Sequence, residues 1–141
     1  MDDAPKKRIL VVDDDPAASR AVRHCLEWKG YEVVEQPGGA EALAWLERGH
    51  ADLIILDVVM PGLSGFDVCR RLRERDETRH TPVIFLTARQ GIRDLMEGKT
   101  AGSDLYIVKS TLGTKLVSMV ETFLSPDIAL SRKRSPTALP S

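Results

Sequence analysis

Short apolar runs alternate along the chain with longer stretches in which apolar residues recur every three or four positions. The runs are typical of buried strands, and the longer stretches are typical of helices with one apolar face. The runs predict five strands, at residues 8–12, 31–35, 53–56, 81–87 and 105–108. Five strands that alternate with five helices predict an α/β fold, in which a parallel sheet carries helices on both faces.

The helical stretches carry expectations about which side chains face the core. Ser64 and Asp67 predict a capping box at the start of the third helix. The arginines near the end of that helix alternate with acids, which is typical of a solvated helix end; they are Arg70, Arg71, Arg73 and Arg75. The apolar faces predicted for the first, fourth and fifth helices contain Ala18, Ala21, Val22, Cys25 and Leu26; Ile92, Leu95 and Met96; and Leu112, Leu116, Val120, Phe123 and Leu124.

The composition limits the classes of partner. Lys and Arg number 20 against 21 Asp and Glu, so the net charge of −1 provides no field that would attract nucleic acid or an anionic membrane. No stretch approaches the roughly 18 apolar residues of a membrane span. Cys25 and Cys69 are predicted to be reduced core thiols, which suits a cytoplasmic protein. We therefore expect neither direct contact with nucleic acid nor membrane insertion.

The periodic pattern defines one domain over residues 1–124, in which residues 1–7 form a polar leader. From Ser125 onward, prolines and serines replace the pattern, which predicts a mostly disordered tail or linker over residues 125–141. The basic run Arg132-Lys133-Arg134 is short and typical of a solvated tail.

Polar residues stand where four of the five predicted strands end. Asp13 and Asp14 follow the first strand, Asp57 follows the third, Thr87 ends the fourth and Lys109 follows the fifth. Because the carboxyl ends of parallel strands share one edge of the sheet, we expect these side chains to line one crevice. Taken singly they have ordinary explanations, since acids before a helix can cap it and complement its dipole. Together they favour a functional site.

The residue types at this edge point to phosphoryl chemistry. Three carboxylates that lie close together repel one another, and a hard divalent cation such as Mg²⁺ relieves that repulsion. Asp13 and Asp14 form the pair suited to hold the cation, and Asp57 is the candidate nucleophile that attacks phosphorus and becomes an acyl phosphate. Lys109 and the Thr87 hydroxyl would bind the phosphoryl oxygens.

The motifs at these positions resemble the receiver domains of two-component response regulators, of the stand-alone type. Residues 9–16 (ILVVDDDP), 53–65 (LIILDVVMPGLSG), 82–88 (PVIFLTA) and 102–109 (GSDLYIVK) match the motifs of the family in order and spacing. The resemblance covers residues 8–124. It implies a flavodoxin-like, doubly wound (βα)5 fold with a five-stranded parallel sheet in the order 2-1-3-4-5.

The resemblance also implies a chemical role for the strand ends. Asp57 would accept a phosphoryl group from a histidine kinase or a histidine phosphotransfer protein. Mg²⁺, or Mn²⁺ in its place, would be bound by Asp13, Asp14, Asp57 and the backbone carbonyl of Val59. The domain would be no enzyme beyond its own Mg²⁺-dependent phosphorylation and dephosphorylation.

Signal output follows from the same resemblance. Thr87 and Tyr106 match the switch pair of the family, in which the hydroxyl moves toward the phosphoryl group and the aromatic ring turns inward. The face formed by the fourth helix, the fifth strand and the fifth helix would then bind a downstream protein effector. We expect this face to include Arg89, Gln90, Tyr106 and Val108.

One position departs from the family pattern, and three alternative functions remain to be weighed. Ser110 follows Lys109 where the family usually has a proline in a cis bond, and a cis bond before a non-proline residue costs about 3–4 kcal/mol. Ser110 is also a candidate cap for the last helix. The main alternative function is a non-switching pseudo-receiver that acts as a protein-binding module. A dinucleotide-binding domain is disfavoured because acids replace the glycine-rich turn, and an aspartate phosphatase is disfavoured because Val59 replaces its second Asp.

Overall fold

The computed structural model describes residues 6–88, 92–109 and 114–125, with the backbone alone at residues 92–94 and 114. Ten elements alternate along the described chain. They are β1 (Arg8–Val12), α1 (Pro16–Trp28), β2 (Glu32–Gln36), α2 (Gly39–Leu46), β3 (Leu53–Leu56), α3 (Gly65–Arg73), β4 (Val83–Thr87), α4 (Ile92–Ala101), β5 (Leu105–Val108) and α5 (Thr114–Phe123).

The five strands form one parallel sheet in the order β2-β1-β3-β4-β5. All residues of β3 and β4 are buried, as expected for central strands covered on both faces. The predicted fold class and the strand order implied by the resemblance are therefore confirmed. The strand that alternates weakly, β2, lies at an edge of the sheet that the described residues form.

Successive residues of the central strands point into two separate cores. Leu10, Ile54 and Phe85 belong to the core shared with α2 and α3, whereas Ile9, Ile55 and Ile84 belong to the core shared with α1 and α5. Each of these side chains is at most 1% exposed. Since full burial of such a side chain contributes about 1.5–3 kcal/mol, the two cores stabilise the sheet on both faces.

Helix α1 is rotated relative to the predicted apolar face. The buried residues are Ser19, Val22 and Leu26, while Ala21 and Cys25 are exposed. The prediction of two core thiols is thus wrong for Cys25, whereas Cys69 is buried and burial raises the pKa of its thiol to about 11. The rotation has a polar cause, because the Ser19 hydroxyl is held against the sheet by a 2.6 Å hydrogen bond that it donates to Glu35.

Helix α4 also differs from its prediction. Leu95 and Met96, expected on the apolar face, are 46% and 62% exposed. The helix instead approaches the sheet through Gly98 and Ala101, which are buried. A Cβ at position 98 would lie 3.1 Å from the Tyr106 ring, so a larger residue there would require the ring to shift. In α5, Leu116 and Val120 are buried as predicted, and Leu112 lies outside the described residues.

The two ends of α3 show one confirmed prediction and one correction. The capping box is present, since Ser64 Oγ accepts from the Asp67 amide at 3.1 Å and the Asp67 carboxylate accepts from the Ser64 amide. At the other end, Arg73 is not a solvated arginine, because its side chain is 19% exposed. Its guanidinium donates to the carbonyls of Thr78, Arg79, Thr81 and Gly102 and pairs with Asp104.

Other sequence predictions concern parts of the chain that are not described. Residues 1–5 of the predicted leader and residues 126–141 of the predicted tail lie outside the described residues. In the described ranges, no helix has the length and apolar character needed to cross a membrane.

Candidate functional site

The carboxyl edge of the sheet collects the polar residues that the sequence analysis singled out. The parallel ladder continues one residue beyond β1 and β3, because the Asp13 amide donates to Gln36 at 3.2 Å and the Asp57 amide donates to Val12 at 2.9 Å. Thr87 is the last residue of β4, and Lys109 follows β5 directly. Both aspartates therefore emerge at the same height above the core.

The three acids expected to bind a cation lie together. Carboxylate oxygens of Asp13, Asp14 and Asp57 lie within 4.8 Å of one another. Asp13 and Asp57 are buried, at 7% and 8% exposure, whereas Asp14 is open to solvent. The neighbouring Asp15 has a different task, since its carboxylate caps α1 by accepting from the Ala17 amide at 3.0 Å. Helix capping thus accounts for Asp15 but not for the three acids of the cluster.

Lys109 reaches across the edge from the end of β5. Its ammonium donates to Asp13 Oδ2 at 2.8 Å and lies 3.5 Å from Asp57 Oδ2. Burial lowers the pKa of Lys109, but the hydrogen bond to Asp13 and the charges of Asp57 and Asp13 more than offset this, so the pKa is raised. The lysine is therefore held in its charged form between the two buried acids.

In contrast to Lys109, Asp57 has surroundings that disfavour its charged form. Burial is the main cause that raises the pKa of Asp57 above its usual range, and the negative charge of Asp13 raises it further. The charge of Lys109, a hydrogen bond from the Thr87 side chain and one from the Val59 backbone amide lower the pKa in part. The net increase shows that the protein groups at this edge do not fully stabilise the Asp57 carboxylate.

This donor set fits a hard divalent cation. Asp13, Asp14 and Asp57 supply three carboxylates against the one ammonium of Lys109, so negative charge is in excess. Mg²⁺ is commonly bound by one or two carboxylates, with waters and phosphate oxygens completing an octahedron. The exposed position of Asp14 leaves one side of the cluster open to such ligands.

The loop after β3 is exposed to solvent beside the acidic cluster. Val59 is 52% exposed, and Pro61 and Gly62 lie in solvent, with Gly62 at a φ of +80° that favours glycine. Behind this turn, a Cβ at Gly65 would clash with the Asp57 carbonyl oxygen. The backbone of α3 therefore lies directly against the backbone of Asp57. The role of the Val59 carbonyl as a ligand stays a prediction.

The candidate switch pair occupies adjacent strands. Thr87 is buried at 1% exposure at the end of β4, and Tyr106 on β5 is half-buried. The Tyr106 ring packs edge-on against Phe85, with 6.0 Å between the ring centroids. Arg89 and Gln90, predicted for the same face, lie outside the described residues, as does Ser110 with its bond to Lys109.

One pair of residues beside the acids was not predicted from the sequence. Ser19 and Glu35 line a cavity of about 130 Å³ that Asp13 and Asp14 also border. A hydrogen bond from Ser19 and another from Arg23 lower the pKa of Glu35, which is thus kept ionised. The signal was available, because Glu35 lies near the carboxyl end of β2 and so belongs to the same edge as the other strand ends.

Comparisons with known proteins give one consistent result. The family model described as "Response regulator receiver domain" matches residues 9–121. Among curated relatives, the phosphate regulon transcriptional regulatory protein PhoB of Rhizobium meliloti is 41% identical over 83% of this chain and 52% of its own length. The chain spans about half the length of the curated relatives that it matches first.

Solved structures agree with the family match. The chemotaxis protein CheY4 of Vibrio cholerae is 32% identical, with a TM-score of 0.80, over 85% of this chain and all of that chain. The response regulator TrrA of Thermotoga maritima, determined in complex with Mg²⁺ and BeF, is 37% identical, with a TM-score of 0.75, over 84% of this chain and 99% of its own.

Proposed function

Because this chain belongs to the response regulator receiver domain family, we propose that it switches a signalling pathway by accepting a phosphoryl group on Asp57. The observation that carries the proposal is the state of Asp57, which is a buried carboxylate beside a second buried acid, with a lysine 3.5 Å away. Receiver domains of two-component systems are signalling modules, so we expect no turnover of a separate small substrate.

The phosphoryl donor in this proposal is a phosphohistidine on a histidine kinase or a histidine phosphotransfer protein. An Asp57 carboxylate oxygen attacks phosphorus, a P–O bond forms, and the P–N bond to the donor imidazole breaks. The imidazole keeps the bonding electrons and takes up a proton. The product is an acyl phosphate, so the carboxylate acts as a covalent nucleophile.

The neighbouring side chains prepare this transfer. Asp13, Asp14 and Asp57, with the Val59 carbonyl, would hold Mg²⁺, or Mn²⁺ in its place, and the cation would neutralise charge on the acids and the phosphoryl oxygens. Lys109 is held near Asp57 by its 2.8 Å bond to Asp13 and would bind a phosphoryl oxygen. The Thr87 hydroxyl, already hydrogen bonded to Asp57, would bind another.

Output in this proposal begins with the Thr87 hydroxyl turning from Asp57 toward the new phosphoryl group. Tyr106 on the adjacent strand would move inward, which changes the α4–β5–α5 face. Leu95 and Met96 on α4 are exposed beside β5 and would add apolar contact area for a protein effector. We propose a receiver over residues 1–124 that acts in the cytoplasm through protein contacts, with residues 125–141 as a tail or linker.

Two alternatives have specific support. PhoB and other relatives about twice as long are named as transcriptional regulators, which favours control of transcription through a further domain. A non-switching pseudo-receiver is favoured by Ser110, which replaces the usual proline after Lys109.

The direct test is phosphorylation of the full chain with acetyl phosphate and Mg²⁺, followed by intact mass measurement. We expect one phosphoryl adduct on the wild type and none on Asp57→Asn, with Asp52→Asn as the control that retains it. Beryllofluoride with Mg²⁺ should shift the amide resonances of Thr87 and Tyr106. A wild type with neither adduct nor shift supports the pseudo-receiver and contradicts our proposal.

A further inference from the structure

A closed ring of hydrogen bonds joins α1 to the end of β2 beside the acidic cluster. The Ser19 hydroxyl donates to Glu35 Oε1 at 2.6 Å, and the Ser19 amide donates to the Asp15 carbonyl at 3.0 Å. The Asp15 amide donates to Asp13 Oδ1 at 2.9 Å, and the Asp13 amide donates to the Gln36 carbonyl at 3.2 Å. Because Gln36 follows Glu35 in β2, these five residues form a closed circuit, which we call the hydrogen-bonded ring.

The contact between Ser19 and Glu35 is the link of the hydrogen-bonded ring that two side chains make. Ser19 is 3% exposed, and a serine inside a helix commonly donates to the carbonyl of the preceding turn. Here the hydroxyl donates to the neighbouring strand instead. The second oxygen of Glu35 accepts from Arg23 at 2.9 Å, so two donors from successive turns of α1 fix this carboxylate.

The hydrogen-bonded ring reaches the proposed cation site at Asp13. Asp13 Oδ1 accepts from the Asp15 amide and Asp13 Oδ2 accepts from Lys109 at 2.8 Å, so both oxygens of this ligand are held in place. Each oxygen keeps a lone pair for a cation. Asp14 lies between Asp13 and Asp15 in the chain, so the ring fixes the backbone on both sides of it. Mg²⁺ demands near-ideal octahedral geometry, which rewards ligands that are oriented in advance.

Packing of α1 against the sheet does not require this polar contact. Val22 and Leu26, at 4% and 0% exposure, supply the apolar contacts of the helix. A buried hydroxyl costs free energy unless its hydrogen bond is made, whereas an apolar side chain would carry no such cost. Ser19 and Glu35 also line the cavity of about 130 Å³ that Asp13 and Asp14 border. The position of the pair therefore favours a role at the site.

We propose that Ser19 and Glu35 are positioning residues, which hold Asp13 and Asp14 in the arrangement that binds Mg²⁺. The proposal rests on the proposed function for the nature of the site, but it does not require phosphoryl transfer. The two residues act through the hydrogen-bonded ring and not as ligands. Loss of either side chain should weaken Mg²⁺ binding by about tenfold, as is typical for groups that orient metal ligands.

The test is a Mg²⁺ titration of the full chain without a phosphoryl donor, followed through amide resonances. Ser19→Ala and Glu35→Ala should each raise the Kd for Mg²⁺ by about tenfold. The double variant should be no weaker than either single variant, because both open the same ring. Glu35→Gln can still bond to Ser19 and Arg23, so its Kd should stay within about threefold of the wild type. A Kd that is unchanged in both alanine variants would overturn the proposal. A Kd as high in Glu35→Gln as in Glu35→Ala would also overturn it, since the charge of Glu35 would then be the cause.

Val22→Ala is the matched control. It leaves a cavity under the same helix and destabilises the protein without touching the hydrogen-bonded ring, so the Kd for Mg²⁺ should not change. An equal loss of affinity in Val22→Ala would show that Ser19 acts only by stabilising α1.

A second readout needs no metal. In the Mg²⁺-free chain, Ser19→Ala should shift the Asp15 amide proton upfield, because its hydrogen bond to Asp13 lengthens, whereas Val22→Ala should leave it in place. An Asp15 amide proton that does not move in Ser19→Ala would contradict the ring. Because no phosphoryl donor is present, failure of Asp57 to become phosphorylated would contradict the proposed function alone, and the tenfold difference in Kd would still confirm the positioning role.

Discussion

The two ends of β3 carry one aspartate each, and the pKa values of the two carboxyl groups are shifted in opposite directions. Asp52, just before the strand, has a lowered pKa: burial raises it, but the Arg8 amide and His50 more than offset that effect. Asp57, just after the strand, has a raised pKa because burial and Asp13 outweigh Lys109 and Thr87. The protein therefore favours the ionised form of Asp52 at one end of the strand and disfavours the ionised form of Asp57 at the other.

The contrast extends to the other residues at the two edges of the sheet. The strands begin at the amino edge and end at the carboxyl edge. At the amino edge, Arg73 binds four carbonyls and pairs with Asp104, which also accepts from the Val83 amide at 2.8 Å. At the carboxyl edge, three acids share one lysine. Charges whose partners all belong to the chain hold the fold together. An excess of one sign of charge at buried positions indicates a site that binds a ligand from outside the chain.

The largest expected loss of stability comes from a substitution at the amino edge. Arg73→Ala removes the hydrogen bonds that the guanidinium donates to four carbonyls and its ion pair with Asp104, so the free energy of unfolding should fall by about 3–5 kcal/mol. Arg71→Ala, an exposed arginine on the same helix, should change it by less than about 0.5 kcal/mol. Urea denaturation measures both. Equal effects of the two substitutions would show that the amino edge does not depend on Arg73.

The carboxyl edge should respond to Mg²⁺. A cation that binds the folded chain raises its free energy of unfolding by about 2.7 kcal/mol at one hundred times its Kd. We expect a rise of this kind for the wild type in thermal denaturation. Asp14→Asn should require more Mg²⁺ for the same increase, because one of the three carboxylates loses its charge. A wild type that is insensitive to Mg²⁺ would contradict the assignment of the acidic cluster.

A matched pair of isosteric substitutions tests the two ends of β3 directly. Without Mg²⁺ at neutral pH, Asp57→Asn should raise the free energy of unfolding by on the order of 1 kcal/mol, because the cost of burying the carboxylate and the repulsion from Asp13 both disappear. Asp52→Asn should lower it by about 1 kcal/mol, a figure reduced by solvent screening. Urea denaturation again gives the values. Changes of the same sign would contradict the comparison.

The contribution of each of these two aspartates to stability depends on pH with a defined sign. Asp57 has a raised pKa when folded, so its contribution to stability is lost as pH rises from about 3.9, the unfolded value, through the folded value. Asp52 has a lowered pKa when folded, so its contribution is present above about 3.9 and is lost as pH falls through the folded value. Stability measured between pH 3 and pH 7 against each Asn variant should show these opposite slopes.

The smallest effect is expected at His50. Its ring contacts Asp52 at 3.0 Å, but the histidine side chain is 74% exposed, so His50→Ala should cost less than about 1 kcal/mol. The loss should shrink further in high salt, whereas the effect of Arg73→Ala should not. A loss at His50 as large as that at Arg73 would mean that exposed charges, rather than buried ones, stabilise the amino edge.

Sequence patterns could predict the strands because a buried parallel strand needs an apolar run, and the residue after each run marks the carboxyl edge. They could not predict Arg73, whose partners come from the loop at residues 78–81 and from Gly102 and Asp104. Nor could they predict the exposure of Cys25, Leu95 and Met96. Periodicity defines a helix face only to within a rotation, and the polar contact of Ser19 and the small residues of α4 set that rotation.

Gly65 has a consequence for how this molecule tolerates mutation. Its missing Cβ is what allows the backbone of α3 to lie against the carbonyl of Asp57. Any substitution there, even to Ala, must displace the main chain of Asp57. In a saturation library, position 65 should therefore accept almost no replacement that keeps the geometry of Asp57, although its own side chain performs no chemistry.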